Sequence, residues 1–149
     1  MIGLDVRGGE DFARLARRVK EVGDRQLRRE LLSSIQRATR PVRDKVREKA
    51  LSSLPSRGGL AGEIAASRFS ARTSMTGRNV GVRVVGASGR DVRSLDAGRL
   101  RHPTFGHKPF VSQSVEPGFF SATIEEHAPE IRDEISDAMR TIADKIEKG

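Results

Sequence analysis

From Phe12 to Val46, the apolar residues Phe12, Leu15, Val19, Val22, Leu27, Leu31, Ile35, Ala38, Val42 and Val46 recur at intervals of three to five. Such spacing keeps an apolar stripe on one side of a helix, so the first third of the chain is an amphipathic helix or helix pair that needs another element to cover it. A second stripe, Ile124, Ala128, Ile131, Ile135, Ala138, Ile142 and Ile146, predicts a last helix over 119–147. Gly23 and Pro41 interrupt the first stripe. A proline inside a helix removes a backbone hydrogen bond and crowds the preceding turn, which predicts a kink or restart near Thr39 to Pro41. Pro55 and the pair Gly58-Gly59 end the helical region, assigned to 10–54. In the last helix, Thr123 with Glu126 fits a capping box, and Pro129 predicts an offset between the first turn and the main body.

Between the helices the period changes. Ala65, Ser67, Phe69, Ala71 and Thr73 alternate with other positions, as do Val80, Val82 and Val84, which predicts two strands joined in a hairpin near Thr76-Gly77-Arg78-Asn79. Beyond Gly86 the chain is cationic and rich in Gly and Pro with few apolar residues, and reads as a long loop holding at most a short strand, so 62–115 is strands and loop. The expected fold is α+β. Long kinked N-terminal helices and a C-terminal helix would pack on a small antiparallel sheet with a long central loop, in one domain spanning 1–149, since 149 residues suit a single core.

Charge divides the chain. The net charge is +8, but residues 10–50 carry +6, residues 51–120 carry +6 and residues 121–149 carry −4. A basic N-terminal two-thirds therefore precedes an acidic end, and the two can pair within a subunit or between neighbours. Arg14, Arg17, Arg18, Arg25, Arg28 and Arg29 cluster on the first helical stretch with Glu21, Asp24 and Glu30 interleaved, the pattern of a solvated face or of a surface for phosphates or an acidic partner. Arg90, Arg93, Arg99 and Arg101 lie instead in the expected loop, where helix solvation does not require them.

The same composition excludes chemistry. With no cysteine there are no disulfides, thiolate metal sites or cysteine nucleophiles. His102, His107 and His127 have no ligand spacing, no serine sits in a nucleophile elbow, and no glycine-rich phosphate loop is present, so no catalytic, cofactor or metal residue is assigned. No apolar run is long enough to span a bilayer and no leader pattern opens the chain, which reads as soluble, not secreted and without a membrane partner. The absence of Trp and Tyr weakens base-stacking modes of single-strand binding.

Three stretches together resemble a known family. The Arg-rich helical region runs through Pro41 into Leu54-Pro55-x-x-Gly58-Gly59-Leu60-Ala61-Gly62-x-Ile64, and the valine strand follows. After it come Leu95-Asp96-x-Gly98-Arg99-Leu100-Arg101-His102-Pro103-x-Phe105-Gly106 and Val115-x-Pro117-Gly118-Phe119-Phe120. In this order they are similar to neck and tail-completion proteins of long-tailed bacteriophages, the tail components related to lambda's minor tail protein Z, in the form carried by phages of actinobacteria. The resemblance implies a virion structural protein that is not an enzyme, made in the host cytoplasm and built into the neck. It implies a homo-oligomeric ring, expected to be hexameric, between head-closure or connector proteins and the tail terminator or tail tube, with DNA passing through without sequence-specific binding. The interface residues expected are Arg90, Arg93, Arg99, Arg101, Phe105 and Phe110 in the loop, and Glu126, Glu130, Glu134 and Asp137 on the last helix. The alternatives are a basic nucleic-acid-binding module and a tail terminator ring.

Overall fold

The computed structural model describes residues 2–7, 10–74, 81–88, 90–104 and 107–148, with the side chains of 4–7, 10–11, 74, 81, 102–104 and 107–110 left out of the description. Its order is β1 (Ile2–Arg7), α1 (Glu10–Val22), α2 (Arg25–Ser53), α3 (Leu60–Ala65), β2 (Arg68–Ser74), β3 (Gly81–Ala87), α4 (Val92–Asp96), β4 (Arg99–Thr104), β5 (His107–Ser114) and α5 (Ser121–Lys148). The chain is α+β, as its periodicities imply.

Helices α1 and α2 are separated at Gly23 and Asp24. Gly23 takes φ 69°, a left-handed conformation that closes α1, and its N–H donates to the Val19 carbonyl. Asp24 then starts α2 by accepting from the N–H groups of Gln26 at 2.8 Å and Leu27 at 3.3 Å. The expected restart at Pro41 does not occur, since α2 runs unbroken through it. Pro41 lies on the exposed side, as does Arg37, whose carbonyl loses its usual donor and can be solvated. The helix ends where Leu54, extended at ψ 152° before Pro55, can no longer continue it.

The apolar stripes meet over the sheet. Leu31, Ile35, Val42 and Val46 of α2, Phe12, Leu15 and Val19 of α1, and Ile124, Ile131, Ile135 and Ile142 of α5 are buried with Phe69, Ala71, Val82 and Val84 from the strands. Phe120 stacks on Phe69 with ring centroids 6.2 Å apart, and Phe119 meets Phe120 edge-on at 6.4 Å. Val22, expected in the stripe, is exposed at the end of α1.

The main sheet has the order β1-β3-β2, antiparallel throughout. The expected hairpin of two strands is present as β2 and β3, although strand β2 begins only at Arg68 because Ala65 still belongs to α3. Its turn at Thr76 to Asn79, and Val80, lie outside the described residues. Strand β1 had no counterpart in the sequence reading. On the far side of β2, Gln36 Nε2 donates to the Ala71 carbonyl at 2.7 Å and an Arg43 guanidinium N–H to the Phe69 carbonyl at 3.4 Å, so side chains of α2 occupy that strand edge. Arg47 lies over the Phe69 ring, 5.3 Å from its centroid.

The segment expected to be a long loop is largely ordered: helix α4 is followed by a second antiparallel pair, β4-β5, with Arg99 opposite Ser114 and Pro103 opposite Phe110. The sequence of this pair carries no alternating apolar pattern, which is why it reads as a loop. Leu100 and Val115 anchor the base of the pair against the core, whereas Arg99, Arg101 and residues 111–114 are exposed.

Candidate functional site

The base of the β4-β5 hairpin and the start of α5 form one joint. Asp96, the last residue of α4, accepts at one carboxylate oxygen from the N–H of Phe120 at 2.9 Å and of Ser121 at 3.0 Å. Its carbonyl accepts from Gly118 N–H at 2.8 Å, and the Gly98 carbonyl accepts from Val115 N–H at 2.9 Å. Gly98 and Gly118 adopt φ 90° and 87° to make the turns. The expected capping box does not form. The helix begins before Thr123, which is buried inside it and donates to the Phe119 carbonyl at 2.9 Å, and Asp96 supplies the cap from 24 residues away. Pro129, expected to offset the first turn, sits on the exposed side of a continuous helix.

Helix α4 is fixed in turn. Asp91 accepts from the Ser94 hydroxyl at 2.7 Å and the Ser94 N–H at 3.2 Å, and these bonds, the hydroxyl one foremost, hold its carboxyl below the usual range. Arg90 lies against Glu63 of α3, its Nε 3.0 Å from each carboxylate oxygen and a terminal nitrogen 2.9 Å from one of them. The hydrogen bond lowers the Glu63 pKa and raises that of Arg90. Arg90, expected to reach a neighbour, is therefore engaged within the subunit.

The other expected residues are distributed as follows. Arg93 on α4, and Arg99 and Arg101 on β4, are exposed. Phe105 lies outside the described residues, as does the side chain of Phe110. Glu126, Glu130, Glu134 and Asp137 are exposed on α5, joined by Asp133, and only Asp137 has a described ion pair, with Arg140 at 3.5 Å on the same helix. An exposed pair of that kind contributes little.

Helix α5 has two unlike flanks. Toward α2, a groove of about 430 Å³ is lined by Glu130, Asp133, Glu134, His127 and Ile131 of α5 and by Arg37, Ala38, Pro41 and Val42 of α2. The His127 ring nitrogen Nδ1 is bonded to the Thr123 carbonyl at 2.9 Å. Toward α1, a groove of about 310 Å³ has Arg14, Arg18 and Arg140 on its walls with Leu15, Met139 and Ala143. The basic N-terminal part and the acidic end pair only sparingly inside the subunit: of the described ion pairs, the one that joins α2 to α5 is Glu30 with Lys145, and there the last helix supplies the cation.

The sequence reading missed a third cationic surface. Arg68 and Arg72 of β2 and Arg83 of β3 are exposed on the sheet face away from the helices, Arg72 directly opposite Arg83. Alternation of Arg68, Ser70 and Arg72 against Phe69 and Ala71 was the signal that could have shown it. Among the described residues no group of three or more His, Cys, Asp or Glu is placed to hold a metal ion, and no helix is long and apolar enough to cross a membrane. No family model, curated protein or solved structure matches this chain.

Proposed function

We propose that this chain is a non-catalytic structural subunit of a long-tailed phage neck, forming a ring that helps join the tail to the DNA-filled head and leaves a passage for DNA. The observation that carries the reading is the joint at Asp96. Two of the segments that carry the family resemblance, Leu95-Asp96-x-Gly98 and Val115-x-Pro117-Gly118-Phe119-Phe120, are bonded to one another and tie the base of the hairpin to the start of α5. A hairpin tied at its base to the last helix suits a subunit that must contact an adjoining ring, and charged helical flanks suit contacts between subunits. In this reading Arg93, Arg99 and Arg101 meet the adjoining ring, with head-closure or connector proteins on one side and tail proteins on the other.

Deleting the gene from its phage tests this directly. Filled heads and finished tails that stay apart, and that join when purified protein is added to the extract, are the expected result. Tails of abnormal length would assign the chain to tail termination instead, and normal virions would end the neck reading.

The exposed Arg68, Arg72 and Arg83 favour a second reading, a basic nucleic-acid-binding module. It requires duplex binding whose affinity falls steeply with salt, by roughly 0.9 log units per log unit of salt for each phosphate neutralised. Triple substitution of these arginines by Ser should abolish such binding if the sheet face is responsible.

A further inference from the structure

We infer that the cationic groove between α1 and α5 seats the acidic flank of α5 from a second copy of this chain. The inference deepens the ring reading above, on which it rests for the closure of the contacts into a ring.

Three features of the subunit carry it. The first is placement: the acidic residues Glu130, Asp133 and Glu134 line the side of α5 that faces α2, whereas Ser136, Met139, Arg140 and Ala143 line the side that faces α1. The second is charge. Among the described residues, the α1 side brings Arg14 and Arg18 beside Arg140, and the α2 side sets three carboxylates against Arg37. The third is partnership, because none of the described ion pairs includes Glu126, Glu130, Asp133 or Glu134. Arg140 is shared with Asp137 at 3.5 Å in a pair that is more than two-thirds exposed, and such a pair is readily exchanged.

Because donor and acceptor surfaces lie on opposite sides of one helix, the contact is heterologous. Each copy offers its acidic flank to one neighbour and its groove to the other, and such contacts continue until they close into a ring. The apolar floor of Leu15, Met139 and Ala143 gives the arriving helix area to bury, and the three arginines fix its register.

The chain contains no cysteine, so single introduced thiols report without background. Ser136→Cys marks the groove and Glu130→Cys marks the flank. When the two variants are mixed in equal amounts at high concentration with a short bis-maleimide, heterodimers are expected well beyond the 1:2:1 ratio of random pairing, with little of either homodimer. A random distribution among the three products, or homodimers in excess, overturns the proposal. Arg18→Glu in the groove chain, or Glu134→Arg in the flank chain, should each lower the heterodimer yield about tenfold, and the two together should restore it. Equal loss in the combined pair, with both variants folded by circular dichroism, also overturns it. Heterodimers from a protein that fails to join heads to tails leave the contact standing and end the neck reading; joining without heterodimers does the reverse.

Discussion

The carboxylate of Asp96 accepts the backbone N–H of Phe120 at 2.9 Å, so a residue at the foot of the hairpin caps the longest C-terminal element of the chain. Helix starts carry unpaired N–H groups, and an acceptor there also meets the positive end of the helix dipole. Asp96→Ala is expected to lower stability by about 1 to 2 kcal/mol, with Asp96→Asn losing less because an amide oxygen still accepts. Urea denaturation measures the loss. Faster hydrogen exchange at Phe120 and Ser121 should accompany it, and unchanged exchange there would show that the cap is not the cause.

Gly118 makes the turn into α5 with φ 87°, and a Cβ added there would lie 2.8 Å from the Cβ of Ala122. Gly58 has a similar φ of 77° with nothing within 4 Å of that position. Gly118→Ala therefore combines backbone strain with a clash that moves α5, whereas Gly58→Ala carries the strain alone, about 1 to 2 kcal/mol. Thermal melts of the pair should rank Gly118→Ala as the more damaging, and equal shifts would count against the tight joint.

Pro41 sits in the middle of α2 on its exposed side. If α2 tolerates this residue merely by leaving the Arg37 carbonyl to solvent, Pro41→Ala restores a backbone bond and raises stability, by up to roughly 3 kcal/mol. A lower melting temperature in this variant would mean that the proline shapes α2 against its neighbours.

Phe120 is fully buried between Phe69 and Phe119. Phe120→Ala should lower stability by about 3 to 5 kcal/mol, among the largest effects of any single truncation. Phe120→Leu should recover most of it, as chemical denaturation can establish.

Glu63 and Asp91 both have lowered carboxyl pKa values in the folded chain, through Arg90 and Ser94 respectively. A carboxyl with a depressed folded pKa contributes stability above its unfolded pKa and loses that contribution as pH falls through the folded value. Stability should therefore decline as pH drops through and below the ordinary carboxylate range. In Arg90→Ala the Glu63 share of this slope disappears, and the difference between the two proteins shrinks toward acid pH. A difference that is independent of pH would assign the effect of Arg90 to packing.

The helices were legible because their stripes are long and their burial one-sided: Leu31, Ile35, Val42 and Val46 lie where the period places them. The restart expected at Pro41 does not occur, since that proline stands on a solvent-facing side where water can reach the carbonyl left without its donor. The cap at Asp24 is local, its partners two and three residues away, although the sequence reading did not name it, whereas the partners of Asp96 are 24 and 25 residues away and no local pattern marks them. Glu126, Glu130, Glu134 and Asp137 share the exposed side of α5, as their spacing of three and four residues implies. The Arg90–Glu63 pair was not legible because Glu63 lies 27 residues earlier, and no local pattern joins them.

The side chains of Gln36 and Arg43 take two carbonyls on the outer edge of β2, and β1 is the other margin of the main sheet. An edge with carbonyls already bonded is a poorer template for a strand of another copy, so extension of the sheet is hindered on the β2 side. At high concentration the chain is thereby guarded on that side against growth of a continuous intermolecular sheet.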